Sequence, residues 1–349
     1  MLRRAWSSLP SLPSPSSLLV DPAPLRILTW NILADGLAQD GGFDGVAPDS
    51  DTLTWTHRLP LICAEIANAG ADVICFQEAS RCFAPPETEQ NEGEGQDDGS
   101  SPTPLWRTLE PVIAALGYDG CFAPKRPSPC VKLGAPPDGV AVLWKKSRCE
   151  LVGEPVAHYY PPEEDGKKHA SQCLVVAHLA DSLYGDGERV VTVVATHLKA
   201  KSDHSAIRAR QARHMCEKIT EMHAHKLSWL SESGERAFVL CGDMNDTRES
   251  EALSTLLAHD APPLAAAVDA EAYPWTTWKT RDGKTKKHAI DHVVVERDGP
   301  LVPLRTWALP TDVDVGCATG LPTSAYPSDH VSVGVELAWR SRPAKRRAV

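Results

Sequence analysis

Strand-like runs of apolar residues recur along the whole chain. They cover residues 25–30, 73–76, 140–144, 173–178, 190–196, 237–241, 290–295 and 331–337. Several runs are almost entirely apolar, as expected for strands that are covered on both faces. Helical periodicity lies between the runs, at 59–69, 105–116, 203–230 and 249–257. The alternation predicts an α/β fold in which helices cover the sheets.

Three segments fall outside this pattern. Residues 1–24 are rich in Ser, Pro and Leu and have no acid before Asp21, which predicts a disordered leader. Residues 87–98 are acidic and rich in Gly, and we expect a disordered surface insert over about 85–104. Residues 339–349 form a basic tail. The domain is therefore predicted to span 25–338.

The compartment follows from the leader and the cysteines. Such a leader is either a transit peptide for the mitochondrion or another organelle, or a segment without an address. The ten cysteines are scattered without a Cys-x-x-Cys pair, which indicates reduced, buried thiols in an intracellular protein. If the leader has no targeting role, we expect the protein in the cytoplasm or the nucleus. No apolar run approaches the ~20 residues of a membrane span, so we expect none.

The net charge of −10 is unevenly distributed. Residues 1–20 carry two arginines and residues 340–349 carry five bases, with no acid in either, which leaves −17 on residues 21–339. Such a body repels a long polyanion unless a local basic groove overrides its field. The charge therefore favours a small phosphorylated substrate.

Six short polar motifs each end or border a strand-like run. They are Trp30-Asn31, Gln77-Glu78, Thr196-His197, Gly242-Asp243-Met244-Asn245, Ile290-Asp291 and Ser328-Asp329-His330. Any one of them taken alone is most simply a turn, because Asn and Asp are common turn formers. If the six converge, they supply carboxylates for a divalent cation and His and Asn for phosphate oxygens.

Longer stretches around these motifs carry a family resemblance. The most specific are Thr196-His-Leu-Lys-Ala200, Thr276-Thr-Trp-Lys279 and Tyr326-Pro-Ser-Asp-His330. With the six motifs, they resemble the deadenylase branch of the endonuclease/exonuclease/phosphatase superfamily, and within it the nocturnin-like proteins, over about residues 25–336. The resemblance implies a four-layer sandwich like deoxyribonuclease I, with two packed mixed β-sheets between outer helices, and a monomer.

The resemblance also implies the roles of the polar residues. Mg²⁺, with Mn²⁺ as a substitute, would be bound by Glu78, Asn31 and Asp329. The catalytic set would be His197, Asp243, Asn245, Asp291 and His330. In the family, the position of Asp243 orients the attacking water and that of Asn245 donates its amide to the phosphate. His197 would donate to a phosphate oxygen. His330 would stabilise the charge of the transition state and be held in one tautomer by Asp291.

Substrate choice depends on residues outside this shared set. The resemblance implies that Lys125, Lys199 and Lys201 bind the 2′-phosphate of NADP(H), and that Trp278 either stacks on adenine or packs in the core. The family usually has Arg where Lys201 stands. Lysine keeps the charge but loses the planar fork, so weaker binding is expected.

Three functions remain open at this point. The first is a Mg²⁺-dependent phosphoesterase that converts NADP(H) to NAD(H). The second keeps the same site but makes it a 3′→5′ exoribonuclease that acts on short 3′ adenylate RNA, with RNA-decay proteins as partners. The third is a non-catalytic interaction protein on the same fold, which has no physical need for clustered unpaired carboxylates.

Overall fold

The computed structural model describes most of the chain. The described residues are 4–9, 20–21, 23–39, 42–47, 50–86, 105–162, 170–185, 188–225, 230, 234–311, 314–316 and 319–341.

Strands dominate the described part of the chain. In order they are β1 (Trp6–Ser8), β2 (Leu25–Asn31), β3 (Val73–Gln77), β4 (Phe83–Ala84), β5 (Thr108–Leu109), β6 (Tyr118–Pro124), β7 (Gly139–Lys145), β8 (Cys149–Leu151), β9 (Val156–Tyr159), β10 (Cys173–Asp181), β11 (Arg189–His197), β12 (Glu235–Asp243), β13 (Leu264–Ala266), β14 (Thr277–Arg281), β15 (Lys284–His288), β16 (Asp291–Glu296), β17 (Leu301–Trp307) and β18 (Val333–Trp339). The helices are α1 (Asp35–Gln39), α2 (Trp55–Ala69), α3 (Pro111–Ala114), α4 (Pro129–Lys132), α5 (Ser205–Ala224) and α6 (Glu251–Leu257).

Most strands belong to two seven-stranded mixed sheets. The first sheet has the order β1-β17-β18-β2-β3-β7-β6, and the second has the order β13-β16-β12-β11-β10-β8 with β9 also beside β10. The pairs β2–β3 and β11–β12 are parallel, and the other pairs in these sheets are antiparallel. Strands β14 and β15 form a separate hairpin.

The hydrophobic core has three layers of side chains. Residues from both sheets, such as Ile27 and Val193, form the central layer. Helix α2 packs Ile62 against the outer face of the first sheet, and α5 packs Met215 against the outer face of the second. The order is therefore helix, sheet, sheet, helix, which confirms the predicted sandwich.

Helix α2 also positions the loops that approach the sheet edge. It begins after Thr54, whose hydroxyl accepts from His57 N–H at 3.3 Å, and ends at Ala69, which is followed by the capping residue Gly70 at φ +56°. From its first turn the buried Arg58 donates to the carbonyls of Ile32 and Leu33 at 2.9 and 2.8 Å. The same guanidinium reaches the Pro327 carbonyl at 3.3 Å. One side chain thus fixes the loop after β2 and the loop before His330.

The N-terminal residues include an element that the leader prediction did not contain. Strand β1 pairs with β17, with Trp6 opposite Trp307. Arg4 is buried in an ion pair with Glu65 of α2, and both side chains are 1% exposed. Residues 4–9 therefore pack as part of the domain, because an aromatic ring and a buried charge attach them to it.

Two predicted helices differ from the observed elements. Residues 105–116 were expected to be helical, but they contain the short strand β5 and the one-turn helix α3. Pro111 begins that turn and Gly117, at φ +91°, follows its end, which limits the helix. Helix α5 covers a shorter range than the predicted 203–230. The eight predicted strands are all present.

Some of the segments for which the sequence made predictions lie outside the described residues. The acidic insert over 87–104, residues 10–19 of the leader and residues 342–349 of the tail belong to this group. Across the described ranges, no helix is both long and apolar enough to cross a membrane.

Candidate active site

The parallel strand pairs bring polar ends to one edge of the sandwich. Asn31 ends β2 and Glu78 follows β3, while His197 and Asp243 end β11 and β12 directly opposite each other. Asp291 begins the antiparallel β16 and faces Asp243 across that ladder. The carboxyl ends of parallel strands meet at a common edge, so these side chains converge.

Asn31 joins the polar ends of the two sheets. Its Nδ2 donates to Glu78 Oε1 and to Asp243 Oδ2, each at 3.0 Å. Its Oδ1 accepts from the Leu33 N–H at 3.0 Å. The second oxygen of Glu78 accepts from Ala34 N–H at 2.9 Å. Glu78 has φ +59°, an uncommon conformation for a residue with a side chain, which is typical of functional turns.

A hydrogen-bonded chain orients His330. Its Nδ1 lies 2.8 Å from Asp291 Oδ2, which also accepts from the Thr276 hydroxyl at 2.6 Å. Its Nε2 faces Asp243 Oδ2 at 3.8 Å. Burial alone would lower the pKa of His330, but the carboxylates of Asp291 and Asp243 raise it to about 9. The ring is therefore an imidazolium at neutral pH.

Asp243 is the most crowded carboxylate of the cluster. Burial, reinforced by the charge of Asp291, raises its pKa to about 6 against the opposing effect of His330. Asn245 N–H donates to Asp243 Oδ1 at 2.8 Å, and the Asn245 amide donates to the Leu198 carbonyl at 3.1 Å. A carboxylate with such a pKa can exchange a proton near neutral pH.

His197 lies on the other side of Asp243. Its Nε2 is 3.5 Å from Asp243 Oδ2, and its Nδ1 is buried without a hydrogen-bond partner among the described residues. Burial lowers the pKa of His197 well below its usual value, and the positive charges of Lys125 and His330 add to the effect. The neutral ring thus has a free polar atom for a ligand.

Asp329 is held by a lysine. Lys279 Nζ lies 2.8 Å from Asp329 Oδ2. Burial opposes ionisation of Asp329, but the ammonium of Lys279 outweighs it and keeps the pKa below the usual value. Asp329 is therefore ionised beside His330, and its charge is already paired.

The cluster fits a divalent cation. Side-chain atoms of Asp243, Asp291 and His330 of the kinds that bind metals lie within 4.8 Å of one another, and all three residues are buried. Asp291 Oδ1 is buried and lacks a hydrogen-bond partner among the described residues, so an acceptor oxygen remains unsatisfied. Because His330 Nδ1 is bonded to Asp291, we regard the carboxylate oxygens as the better ligands. Oxygen donors are those that Mg²⁺ prefers.

The four expected substrate residues lie in different environments. Lys125 is 10% exposed and pairs with Asp138 at 2.6 Å. Lys199 is half-buried, whereas Lys201 is exposed and has φ +78°. Trp278 is 4% exposed, and Lys287 Nζ covers its ring at 3.5 Å. An adenine cannot stack on this buried ring, so the structure supports its packing role.

A cavity of about 740 Å³ opens beside the cluster. Its lining includes Lys201, Ser202, Arg208, Asn245, Asp246, Lys279, Arg281, Asp282, Lys284, Lys286 and His288. Asn245 and Lys279 connect it to the polar cluster, the first through Asp243 and the second through Asp329. The volume is within the range of small-molecule sites.

Comparison with known proteins identifies the family. The sequence model of the Endonuclease/Exonuclease/phosphatase family matches residues 28–330. The chain belongs to this family. Nocturnin of Rattus norvegicus is 27% identical over 327 residues, which cover 92% of this chain and 67% of that protein. Nocturnin of Homo sapiens is 28% identical over 317 residues, with 89% and 64% covered. The chain thus spans about two thirds of the length of these relatives.

Solved structures share the fold. The human nocturnin catalytic domain with a bound sulfate anion has a TM-score of 0.64 at 21% identity and covers 96% of this chain and 97% of that chain. ANGEL2, a 2′,3′-cyclic phosphatase in complex with adenosine-2′,3′-vanadate, has a TM-score of 0.68 at 17% identity, with 98% and 100% covered. These likenesses establish the deoxyribonuclease I-like fold, and the family membership makes the chain a phosphoesterase that resembles nocturnin.

Three contacts of the site were not predicted. Thr276 supports Asp291, Lys279 pairs with Asp329, and Asp138 pairs with Lys125. Thr276 and Lys279 belong to the Thr276-Thr-Trp-Lys279 motif, which therefore held the signal.

Proposed function

We propose that the chain is a Mg²⁺-dependent phosphoesterase that removes the 2′-phosphate of NADP(H) to give NAD(H). The observation that carries the proposal is the bounded cavity beside the buried cluster. Its lining has six cationic side chains and two acids, although the body of the protein is strongly acidic. A compact, locally basic cavity favours a small phosphorylated ligand over a long polyanion.

The divalent cation, held by the carboxylates of Asp243 and Asp291, with Glu78 connected to Asp243 through the Asn31 amide, would supply Lewis-acid stabilisation of the phosphoryl charge. The residues of the chain supply the remaining requirements. Asp243, with its raised pKa, accepts the proton of the attacking water. The imidazolium of His330 stabilises the oxygens of the transition state or donates a proton to the leaving group. His197 would donate to a phosphate oxygen in the tautomer that carries its proton on Nδ1.

A side-by-side turnover assay tests the proposal. Purified protein is incubated with NADP⁺, NADPH or a short oligo(A), each with Mg²⁺, and the phosphate and nucleotide products are measured. We expect phosphate release from both dinucleotides and much slower loss of adenylate from oligo(A). Faster cleavage of oligo(A) would instead favour the 3′→5′ exoribonuclease.

Lys201 provides a test of the substrate-binding side of the proposal. It lines the cavity and has no ion-pair partner within the described part of the chain. Lys201→Ala should raise the KM for NADP⁺ roughly tenfold, as for the loss of one charge-assisted contact, with less effect on kcat. Lys201→Arg should lower the KM. Lys146→Ala, which removes an exposed lysine outside the cavity, serves as the control.

A further inference from the structure

The hairpin β14–β15 turns one face toward the cavity. Lys279 is opposite Lys286, and Arg281 is opposite Lys284, and all four line the cavity. The other face packs inward: Trp278 is opposite Lys287, whose Nζ lies over the indole ring, and Thr280 hydrogen-bonds to Thr285 at 2.9 Å. The alternation of the two strands thus separates a packing face from a cationic face.

The cationic face consists of two like-charge pairs. Side chains directly opposite in an antiparallel pair are about 5 Å apart at Cβ, and like charges in that position are destabilising. Successive pairs on one face are separated by about 7 Å along the strand. Four positive charges therefore lie close together on the hairpin wall of the cavity. Their mutual repulsion lowers stability, and a bound anion would offset this loss.

The charges of the patch are not equally compensated. Lys279 pairs with Asp329, and the guanidinium of Arg281 lies over the Phe43 ring at 4.6 Å. Lys284 and Lys286 have no ion-pair partner among the described residues. The lining has two acids: Asp246, which is bound by Arg208 at 2.8 Å, and Asp282 in the turn, so the basic side chains remain in excess.

The hairpin is held in position by its turn. Asp282 and Gly283 both have positive φ, at +51° and +68°, which is the conformation of a two-residue type I′ turn. Asp44 accepts from the N–H groups of both residues, at 3.2 and 2.6 Å. Asp44 N–H also donates to the Thr280 carbonyl at 3.1 Å. These hydrogen bonds fix the position of the hairpin backbone that carries Lys284 and Lys286.

We propose that Lys284 and Lys286 form a second anion subsite, which binds the 5′-diphosphate of the dinucleotide substrate. This inference rests on the proposed function. Lys279 lies at the catalytic end of the patch through its pair with Asp329, and the pair of Arg281 and Lys284 lies one step further out. A substrate with its 2′-phosphate at the cluster has its diphosphate one ribose away. The patch is too short for a continuous nucleic-acid track, but it suits two adjacent phosphates.

Binding of ADP, which carries the diphosphate without a 2′-phosphate, tests the subsite separately from catalysis. Calorimetric titration would compare the wild type with the double variant Lys284→Ala/Lys286→Ala. We expect the Kd for ADP to rise tenfold or more, as for one or two lost charge-assisted contacts. The exposed lysines Lys132 and Lys146 lie outside the cavity lining, so their double alanine variant matches the charge change and should leave the Kd unchanged.

Kinetics with two substrates complete the test. The double variant should raise the KM for NADP⁺ about tenfold and leave the KM for adenosine 2′-monophosphate unchanged, because the latter has no diphosphate. An unchanged Kd for ADP would overturn the subsite, and so would an equal rise in both KM values. Weaker binding of oligo(A) with unaltered ADP binding would also overturn it. If the wild type releases no phosphate from NADP⁺, the proposed function fails, while the ADP titration still decides the subsite.

Discussion

At the scale of single residues, the side-chain amide of Asn31 hydrogen-bonds to carboxylates from both sheets. Its oxygen, the predicted metal ligand, accepts the Leu33 N–H and keeps a second lone pair, while the amide nitrogen donates to two carboxylates. Reversing the amide would set its nitrogen against the Leu33 N–H and its oxygen against both carboxylates. Asn31 therefore holds Glu78 and Asp243 together across the two sheets.

Asp291 offers a prediction about orientation. Asp291→Asn removes the charge that holds His330 as an imidazolium and changes the acceptor that fixes its tautomer. We expect kcat with NADP⁺ to fall roughly 10²-fold while the fold is retained. Circular dichroism and steady-state kinetics check this. Asp203→Asn, at an exposed acid outside the site, should leave kcat unchanged.

The lowered pKa of His178 leads to a prediction about how the free energy of unfolding depends on pH. Burial, together with the charge of Arg236, lowers its pKa to about 4. Between about pH 6.5 and 4 the unfolded chain binds a proton here that the folded chain does not, so stability is lost as the pH falls through this window. The loss should be roughly 2 kcal/mol after allowance for partial exposure.

Denaturant unfolding at pH 7 and pH 5 measures that dependence. His178→Gln removes the titrating ring, so its stability should fall less between the two pH values than that of the wild type. His57→Gln alters a half-buried histidine, whose Nε2 lies 3.1 Å from the Ser324 carbonyl, and its pH dependence should match that of the wild type. Identical pH dependence in wild type and His178→Gln would show that His178 is not the source.

At the scale of elements, an ion pair links β1 to the body of the domain. Arg4→Ala leaves the carboxylate of Glu65 buried with neutral donors from Ser332 and Trp307. Removal of one partner of a buried pair typically costs about 3–5 kcal/mol, so the free energy of unfolding should fall by that amount. Deletion of residues 1–9 should also lower the Tm by several degrees.

Two variants separate the buried charge from general effects. Arg213→Ala breaks an exposed pair with Glu251 and should cost less than about 1 kcal/mol. The double variant Arg4→Ala/Glu65→Gln removes both charges and should be more stable than Arg4→Ala alone. A deletion of residues 1–9 that melts like the full chain would contradict the packing of this segment.

Whether a strand could be predicted from the sequence depended on how deeply its side chains are buried. The strands between the helix layers were predictable because they are apolar on both faces, as in β11 and β12. The hairpin β14–β15 was missed because one face carries Lys and Arg, and β15 is exposed along its whole length. Strand β1 was missed because three residues give no periodicity. Its position depends on Arg4 and Trp6 contacts that only the tertiary structure forms.

At the scale of the whole molecule, charge is segregated. The body is acidic, yet the cavity beside the cluster is lined by an excess of basic side chains. The sequence indicated that polar residues such as Asn31, His197, Asp243 and Asp291 would converge, because each stands at an end of a strand. It could not predict the basic wall, since that wall combines Lys201 with a distant hairpin. Nor could it show that Lys125 is already paired with Asp138.

The most direct test of the proposed function is the release of inorganic phosphate from NADP⁺ by the wild type and by Asp243→Ala, with and without Mg²⁺. We expect the wild type to form NAD⁺ and phosphate in equal amounts only when Mg²⁺ is present. Asp243→Ala should retain the fold and lose about 10²-fold or more in rate, because it removes the acceptor for the proton of the attacking water. No phosphate release by the wild type with Mg²⁺, or a folded Asp243→Ala that keeps more than roughly a tenth of the rate, would contradict the proposal.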